Sequence, residues 1–382
     1  MAEQVLETST QPNVDNKVKS SDRHYGLELL RILCMLFVIM WHYIEVVIPF
    51  DSNLLSMVFI VHVDSFFLLS SYFMCTKDKF HLSRWIRLLF EILFYCVLAM
   101  VIAIIMGEFR FDDIHHWVLV FLPITSGTYW FLTAYFVIFF LSPFLNIIIK
   151  HISKGAHLIL LIFLLVSTII MNNFLYKNAF GIGYGLCWAW AVVLYFVGAY
   201  LRLYTHPEKM KWWILIPVFF ALCFLHCLFA SLLKIGLDNE NQFVKILFGD
   251  PTFFRRYNNF LTLGSAITFF FIFSKIHISN KVVVTIISFI SRHSLASYLI
   301  HCHPLLSYHF GYGAWQLCWE MEPHRWLAYF IFVGIIFFGS IAVDVIRSLL
   351  VKSYSWTPAY KKLMKWFDAL PYRFIKRVNN AQ

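Results

Sequence analysis

Ten apolar stretches of about 20 residues follow one another along this chain, separated by short polar connections. A helix of that length crosses a hydrocarbon core of about 30 Å and keeps its backbone hydrogen bonds inside the segment. The stretches run approximately 27–49, 54–74, 86–106, 128–149, 157–174, 181–201, 212–232, 257–275, 293–311 and 326–349. They predict an all-α fold, a polytopic transmembrane helical bundle of about ten spans, and a multi-pass protein of the cell membrane.

The charged residues predict how this bundle is oriented. They make up only 14% of the chain, against about 25% in soluble domains. Of the 31 Lys and Arg residues, 23 fall in the first tail, the connections after even-numbered spans and the last tail. The positive-inside rule therefore places both termini in the cytoplasm. Attraction to an anionic membrane surface accounts for the net charge of +10, so no nucleic-acid partner is predicted.

The sequence predicts one membrane domain between two tails. Residues 1–26 are polar, lack the basic-then-apolar pattern of a signal peptide, and predict a disordered cytoplasmic tail. The transmembrane domain covers 27–350. Residues 351–382 mix basic and aromatic side chains, which is typical of a basic amphipathic cytoplasmic tail at the membrane interface. Nothing in the sequence indicates the oligomeric state.

The cysteines give no sign of a disulfide framework or a metal centre. Most of the eight fall inside apolar stretches, where cysteine packs as a small hydrophobe. The segments CFLHC (223–227) and HCH (301–303) both combine Cys with His, but neither has a familiar zinc spacing. We therefore predict no metal.

Four ionisable residues of the first span fall on one helical stripe. Arg31 and His42 are eleven residues apart, which returns them to the same face about 16 Å apart along the axis. Glu28 and Glu45 each lie three residues from one of them. Ionisable groups at membrane depth normally face a bundle interior or a wet cavity. The alternative is that Arg31 pairs with Glu28 and snorkels, while His42 belongs to an interfacial aromatic belt.

The second span favours an interior cavity. His62 and Asp64 lie near its middle, where snorkelling is of little use, and a buried carboxylate needs a partner or water. His62 taken alone is typical of a hydrogen-bonded packing residue. Arg84 and Arg87 follow, three apart on one face at the start of span three, as in a phosphate-binding pair. Ordinary positive-inside charge is the alternative for that pair.

Two later segments add candidate substrate contacts. Trp130 opens span four within TYWFLTAYF, which is also typical of an interfacial belt. Tyr298 and His301 recur at helical spacing in the ninth span, shortly before Pro304, which can kink the helix.

These segments, in this order, resemble the membrane-bound acyltransferase family 3, of the polysaccharide and peptidoglycan O-acetyltransferase type. The resemblance rests on HYGLELLRILCMLFVIMWH (24–42), DSFFLLSSY (64–72), the R-x-x-R pair at 84–87, WFL (130–132) and S-L-x-x-Y-L-x-H at 294–301. Ser71 stands where the family usually has Gly, and the proline that often follows R-x-x-R is absent. The resemblance covers about 27–350.

The resemblance implies transfer of an acetyl or similar acyl group from cytosolic acetyl-CoA to a hydroxyl of an extracytoplasmic or lipid-linked glycan. It implies that His42 is the general base or the covalent acyl carrier, oriented by Glu45 or Asp64. The implied sites are catalytic (His42, Glu45, Asp64), cofactor-binding (Arg31, Arg84, Arg87) and substrate-binding (Trp130, Tyr298, His301), with no metal. The partners are the lipid bilayer, the acyl-CoA and the glycan.

Two other functions use the same residues. A transporter or flippase would bind substrate or relay protons through the intramembrane Arg, His and Asp groups. A membrane sensor or scaffold would use the polar stripe only to fix helix packing.

Overall fold

The computed structural model describes residues 24–47, 54–77, 80–173, 178, 181–248, 250, 252–355 and 357–379. Within these ranges the chain forms helices and no strands, as the apolar stretches predicted. Most of the predicted first tail, up to residue 23, lies outside the described residues.

Sixteen α-helices make up the described chain. They are α1 Tyr25–Tyr43, α2 Leu54–Phe59, α3 His62–Met74, α4 Leu82–Ile105, α5 Ile114–Phe121, α6 Trp130–His151, α7 Lys154–Leu165, α8 Trp188–Tyr204, α9 Trp212–Asp238, α10 Gln242–Leu247, α11 Phe260–Ser274, α12 Lys281–His293, α13 Leu295–His301, α14 Pro304–Glu320, α15 Arg325–Ser355 and α16 Pro358–Asn379. A 3₁₀ turn, Ile44–Val46, continues α1, and a π-helical segment, Val166–Met171, continues α7.

Eight helical segments of the described chain are long and apolar enough to cross a membrane, so the protein is a multi-pass membrane protein. They are Tyr25–Val46, Leu54–Met74, Leu82–Ile105, Trp130–His151, Lys154–Met171, Trp212–Asp238, Lys281–His301 and Arg325–Lys352. Two further predicted spans coincide with α8 and α11, which have only 17 and 15 residues. Most residues of both helices are buried among other helices.

The predicted ninth span, 293–311, is not one helix. The helix α13 ends at His301, and α14 begins at Pro304, with the side chain of His303 accepting a hydrogen bond from the Leu305 amide at 3.2 Å. Proline at a first helical position is favourable because its missing N–H would have no partner there. The long apolar segment instead combines α12 and α13, Lys281–His301. The break leaves Cys302 beside the end of α13.

The helix α3 lies at the centre of the bundle and packs against α1, α8 and α11. Its contact with α8 is very close, because a Cβ placed on Gly198 would lie 1.8 Å from Ser71 Oγ and 2.9 Å from the Leu68 carbonyl oxygen. Ser71 donates its hydroxyl to carbonyl oxygens of its own helix, including Phe67 at 2.8 Å. Small residues on facing helices allow such close backbone approach in membranes.

The last helix, α16, closes one end of the bundle. Asp368 accepts hydrogen bonds from the Ser83 amide at 2.8 Å and the Ser83 hydroxyl at 3.0 Å, and it contacts His81 Nδ1 at 3.3 Å. Helix α4 has no side-chain cap of its own at His81, so Asp368 caps it from a distant part of the chain. Tyr372 contributes a further contact, because its hydroxyl accepts from the Phe80 amide at 3.1 Å.

Candidate functional site

A cavity inside the bundle is lined mainly by aromatic and imidazole side chains, and we call it the aromatic cavity. Its walls come from α1, α3, α6 and α13 and from the segment that precedes α11. The lining residues are Met35, Val38, His42, His62, Val63, Phe66, Trp130, Phe131, Tyr257 and Tyr298. The structure thus brings three of the predicted site residues, His42, Trp130 and Tyr298, to one cavity. Its free volume is about 30 Å³, far below the roughly 300–1,000 Å³ of typical ligand pockets, so a bound molecule has to displace some of the lining side chains.

His42 sits at this cavity with its ring exposed, and its Nδ1 atom is held by the neighbouring helix α13. Its Nδ1 lies 3.1 Å from His301 Nε2 and 3.4 Å from Cys302 Sγ. Because Nδ1 makes both contacts, Nε2 is the nitrogen of His42 that remains available to a bound molecule.

His301 is buried, and the hydrogen bond at its Nδ1 atom fixes the tautomer of its ring. His301 Nδ1 is hydrogen-bonded to the carbonyl oxygen of Ser297, one helical turn earlier. A carbonyl oxygen can only accept, so Nδ1 carries the proton and Nε2 presents a lone pair toward His42. In this arrangement His42 Nδ1–H donates to His301 Nε2. The residue that the sequence suggested as a substrate contact therefore lies against the candidate catalytic residue.

The two carboxylates suggested as partners of His42 have other partners in the structure. Glu45 is exposed in the 3₁₀ turn after α1 and lies 3.4 Å from the Arg255 guanidinium. Asp64 is fully buried in α3, and its Oδ1 accepts a hydrogen bond from the Trp190 indole at 3.0 Å. Its other oxygen, Oδ2, is buried without a hydrogen-bond partner among the described residues.

A second pocket lies at the ends of α3 and α6 that are far from the aromatic cavity, and we call it the basic pocket. It is lined by Met74, Lys77, Phe80, His81, Arg84, Phe139, Ser142, Pro143, Asn146, Ile147 and Lys150. This lining, all within the described part of the chain, includes four basic side chains and no carboxylate. Asn146 fixes one wall, since its amide donates to the Lys77 carbonyl at 3.1 Å and to the Met74 carbonyl at 2.9 Å.

The other two predicted cofactor-binding arginines do not line this pocket. Arg87 is exposed on α4 and is not among the residues that line it. Arg31 pairs with Glu28 at 2.7 Å and lies 3.5 Å from the Ser291 hydroxyl. Like Arg87, Arg31 is not among the residues that line the pocket.

Tyr257 is a site residue that sequence reasoning did not single out. Its hydroxyl lies 3.5 Å from His62 Nε2, and its ring lies 5.9 Å from the Trp130 ring. It sits in the segment FFRRYNN ahead of α11, where two arginines next to an apolar span were the available signal. The sequence could place Tyr257 at the start of a span, but it could not predict that Tyr257 lines the cavity.

Comparison with known proteins supplies one result. Residues 24–345, most of the chain, match the family model described as an acyltransferase domain, of the acyltransferase 3 type. No curated protein and no solved structure matches the chain.

Proposed function

The chain belongs to the acyltransferase 3 family and is an acyltransferase of the membrane, and on that premise we propose that it acylates a hydroxyl group of a glycan. The donor is acetyl-CoA or a related acyl-CoA, and the acceptor is an extracytoplasmic or lipid-linked sugar. The observation that carries the proposal is the placement of His42, which lines the aromatic cavity while its Nδ1 is held by His301, and this leaves Nε2 for the acceptor.

His42 acts in this proposal as the general base. Nε2 takes the proton of the acceptor hydroxyl while its oxygen attacks the carbonyl carbon of the thioester. The carbon–sulfur bond then breaks, and the departing CoA thiolate recovers the proton from His42. His301 is a positioning residue, because it accepts the hydrogen bond from His42 Nδ1–H and so keeps the lone pair on Nε2. Transient carriage of the acyl group on His42 would use the same nitrogen.

The aromatic walls have the chemistry that binds a sugar, and their side chains have to move apart to admit one, because the free volume is about 30 Å³. The rings of Trp130, Tyr257 and Tyr298 offer apolar faces to the C–H surface of a sugar and hydroxyl or indole N–H groups to its polar edge. Asp64 and Glu45 have no direct part in the chemistry that we propose: Asp64 accepts a hydrogen bond from Trp190, and Glu45 pairs with Arg255.

The basic pocket is our proposed site for the CoA phosphates. Lys77, His81, Arg84 and Lys150 converge there without a carboxylate in the described lining, and guanidinium groups bind phosphate bidentately. Arg31 lies on the same helix as His42, eleven residues and about 16 Å along the axis. A pantetheine arm of comparable reach would follow α1 from the phosphates to the base.

The proposal includes the number of membrane crossings and the side on which the termini lie. The shorter helices α8 and α11 complete ten crossings, and both termini with the basic pocket face the cytoplasm, where acyl-CoA is found. The basic residues near these ends support this orientation by the positive-inside rule.

Purified protein incubated with labelled acetyl-CoA tests the proposal. We expect hydrolysis or transfer of the label by the wild-type protein and a loss of about 100-fold or more in His42→Ala, the usual range for removal of a general base. His115→Ala, an exposed histidine outside the cavity, is the matched control and should keep the wild-type rate. Unchanged turnover in a folded His42→Ala protein would remove His42 from the mechanism.

A further inference from the structure

Three potential metal ligands converge at the end of α13. His42 Nδ1, His301 Nε2 and Cys302 Sγ all lie within 4.8 Å of one another. The separations are 3.1 Å between the two nitrogens, 3.4 Å from sulfur to His42 and 3.2 Å from sulfur to His301. Two of the ligands are neighbours in the chain, and the third comes from α1.

This triangle has nearly the size of one face of a zinc coordination tetrahedron. Zinc binds histidine nitrogen at about 2.0–2.1 Å and thiolate sulfur at about 2.3 Å, which places tetrahedral ligands about 3.4–3.6 Å apart. Each observed separation lies within about 0.4 Å of that geometry. Imidazole and thiolate together favour zinc over magnesium or calcium, which take oxygen ligands.

The surroundings of His301 also fit a ligand. Its Nδ1–H donates to the Ser297 carbonyl, so Nε2 is held with its lone pair toward His42 and Cys302. Metal-binding histidines commonly have such an outer hydrogen bond, which fixes the tautomer and the ring orientation. His42 is exposed at the aromatic cavity, so an ion can reach the triangle and keep a fourth position for water.

We propose that His42, His301 and Cys302 bind one Zn²⁺ ion and that zinc bound there switches off acyl transfer. The second half of this proposal rests on the proposed function. Binding uses the lone pair of His42 Nδ1, so the ring proton moves from Nδ1 to Nε2. The base then has no lone pair at the nitrogen that faces the acceptor. The Cys302 thiol loses its proton to solvent as the zinc–sulfur bond forms.

Equilibrium dialysis of the purified full-length protein against zinc alone tests the site. We expect one tightly bound ion per chain in the wild-type protein and binding about 100-fold weaker in Cys302→Ser. Cys187→Ser is the matched control, since Cys187 is half-buried and hydrogen-bonded to the Ile182 carbonyl away from the triangle. Equal zinc binding by Cys302→Ser and wild type would overturn the proposal.

Cobalt substitution gives a measurement that does not depend on a variant being folded. Co²⁺ bound to a thiolate produces a ligand-to-metal charge-transfer band in the near ultraviolet. We expect this band in the wild-type protein, with zinc abolishing it by competition. A cobalt-loaded wild-type protein without the band has no thiolate ligand, which would overturn the site.

Turnover of labelled acetyl-CoA tests the switch. Zinc should lower wild-type turnover by at least about tenfold, a chelator should restore it, and Cys302→Ser should keep its own metal-free rate at the same zinc concentration. Full wild-type turnover at saturating zinc would overturn the switch. Absence of turnover in metal-free wild type would instead contradict the proposed function, while the dialysis result would still decide the metal site.

Discussion

His42 and His301 lie 259 positions apart in the chain and share one hydrogen bond, which gives the two rings different roles. His301 has both nitrogens engaged, one by Ser297 and one by His42. Among the described residues, the hydrogen-bond contacts of His42 are at Nδ1, to His301 and Cys302, and His42 lines the cavity. A neutral imidazole can accept at only one nitrogen, so the orientation of one ring determines which nitrogen of the other is basic.

This dependence predicts an order among substitutions of His301. His301→Ala removes the acceptor of the His42 Nδ1–H bond, and we expect turnover to fall about tenfold or more, the equivalent of one lost hydrogen bond of about 1.5 kcal/mol. His301→Gln offers a carbonyl oxygen at the same place and should recover part of the rate. Labelled acetyl-CoA turnover at saturating substrate measures both. Equal rates for the Ala and Gln variants would contradict a positioning role.

Arg84 and Arg87 are a matched pair for testing the donor site. Both are exposed on α4, but only Arg84 lines the basic pocket. Arg84→Ala should raise the KM for acetyl-CoA about tenfold, because a hydrogen bond to a charged phosphate contributes about 1.5–3 kcal/mol. Arg87→Ala should raise it far less. Saturation kinetics of both variants measure the difference, and an unchanged KM in Arg84→Ala would exclude the phosphate contact.

At the scale of single residues, the sequence pointed to candidates whose roles stay predictions. His42, Trp130 and Tyr298 were singled out as candidates, and they share a cavity. The partners were harder, because contacts such as His42–His301 depend on how helices far apart in the chain pack. Glu45 was suggested as a partner by its helical stripe, but the helix ends at Tyr43 and a 3₁₀ turn carries Glu45 to Arg255.

At the scale of helices, the sequence predicted that the chain crosses the membrane several times but misplaced one span. Apolar length predicted the multi-pass bundle, since that property belongs to each segment alone. The ninth span was misplaced because apolar residues lie on both sides of Cys302 and His303, where the structure breaks the helix. The proline at 304 marked the break, but it was interpreted as a kink within one helix.

The contact of α3 with α8 yields a prediction of its own. Gly198→Ala places a methyl group 1.8 Å from Ser71 Oγ, and we expect a loss of about 1–3 kcal/mol in stability from overpacking. Adding Ser71→Gly should recover part of the loss, while the nearby Leu68 carbonyl limits the recovery. Thermal unfolding in detergent measures both proteins.

The control for that experiment is Gly334→Ala in α15. The Cβ added there has no neighbour within 4 Å. The substitution should therefore leave the thermal unfolding midpoint unchanged, or raise it slightly because alanine has a higher helix propensity than glycine. If Gly198→Ala and Gly334→Ala unfold at the same temperature, the α3–α8 contact accommodates the added methyl group without loss of stability, which would contradict the prediction.

At the scale of the whole molecule, one carboxylate joins the last helix to the membrane bundle. Burial opposes ionisation of Asp368, but hydrogen bonds from Ser83 and from His81 outweigh it and hold its pKa below the usual range. A lowered carboxyl pKa contributes stability above the unfolded value and loses it as pH falls through the folded value. The attachment of α16 is therefore complete at neutral pH and weakens only below about pH 4.

Asp368→Ala should accordingly release α16 at neutral pH. We expect faster trypsin cleavage at Lys361, Lys362 and Lys365, which lie in this helix. The wild-type and variant unfolding midpoints should differ at pH 7 and converge as pH falls below about 4. Asp238→Ala, at the end of α9, is the control. A midpoint difference that persists at low pH would mean that the Asp368 side chain acts through packing and not through its charge.

The distant cap on α4 has a consequence for the order in which the protein is made. Asp368 and Tyr372 contact Ser83, His81 and Phe80, and His81 and Phe80 line the basic pocket. Asp368 and Tyr372 follow the last candidate span, Arg325–Lys352, so their contacts with His81 and Phe80 form only after all the candidate spans have been synthesised. A copy that terminates between Lys352 and Asp368 therefore carries all the candidate spans of the described chain but lacks the contacts to His81 and Phe80. With the basic pocket as the acyl-CoA site that we propose, the last part of the chain to be translated completes that site, and a product truncated there should bind acyl-CoA more weakly.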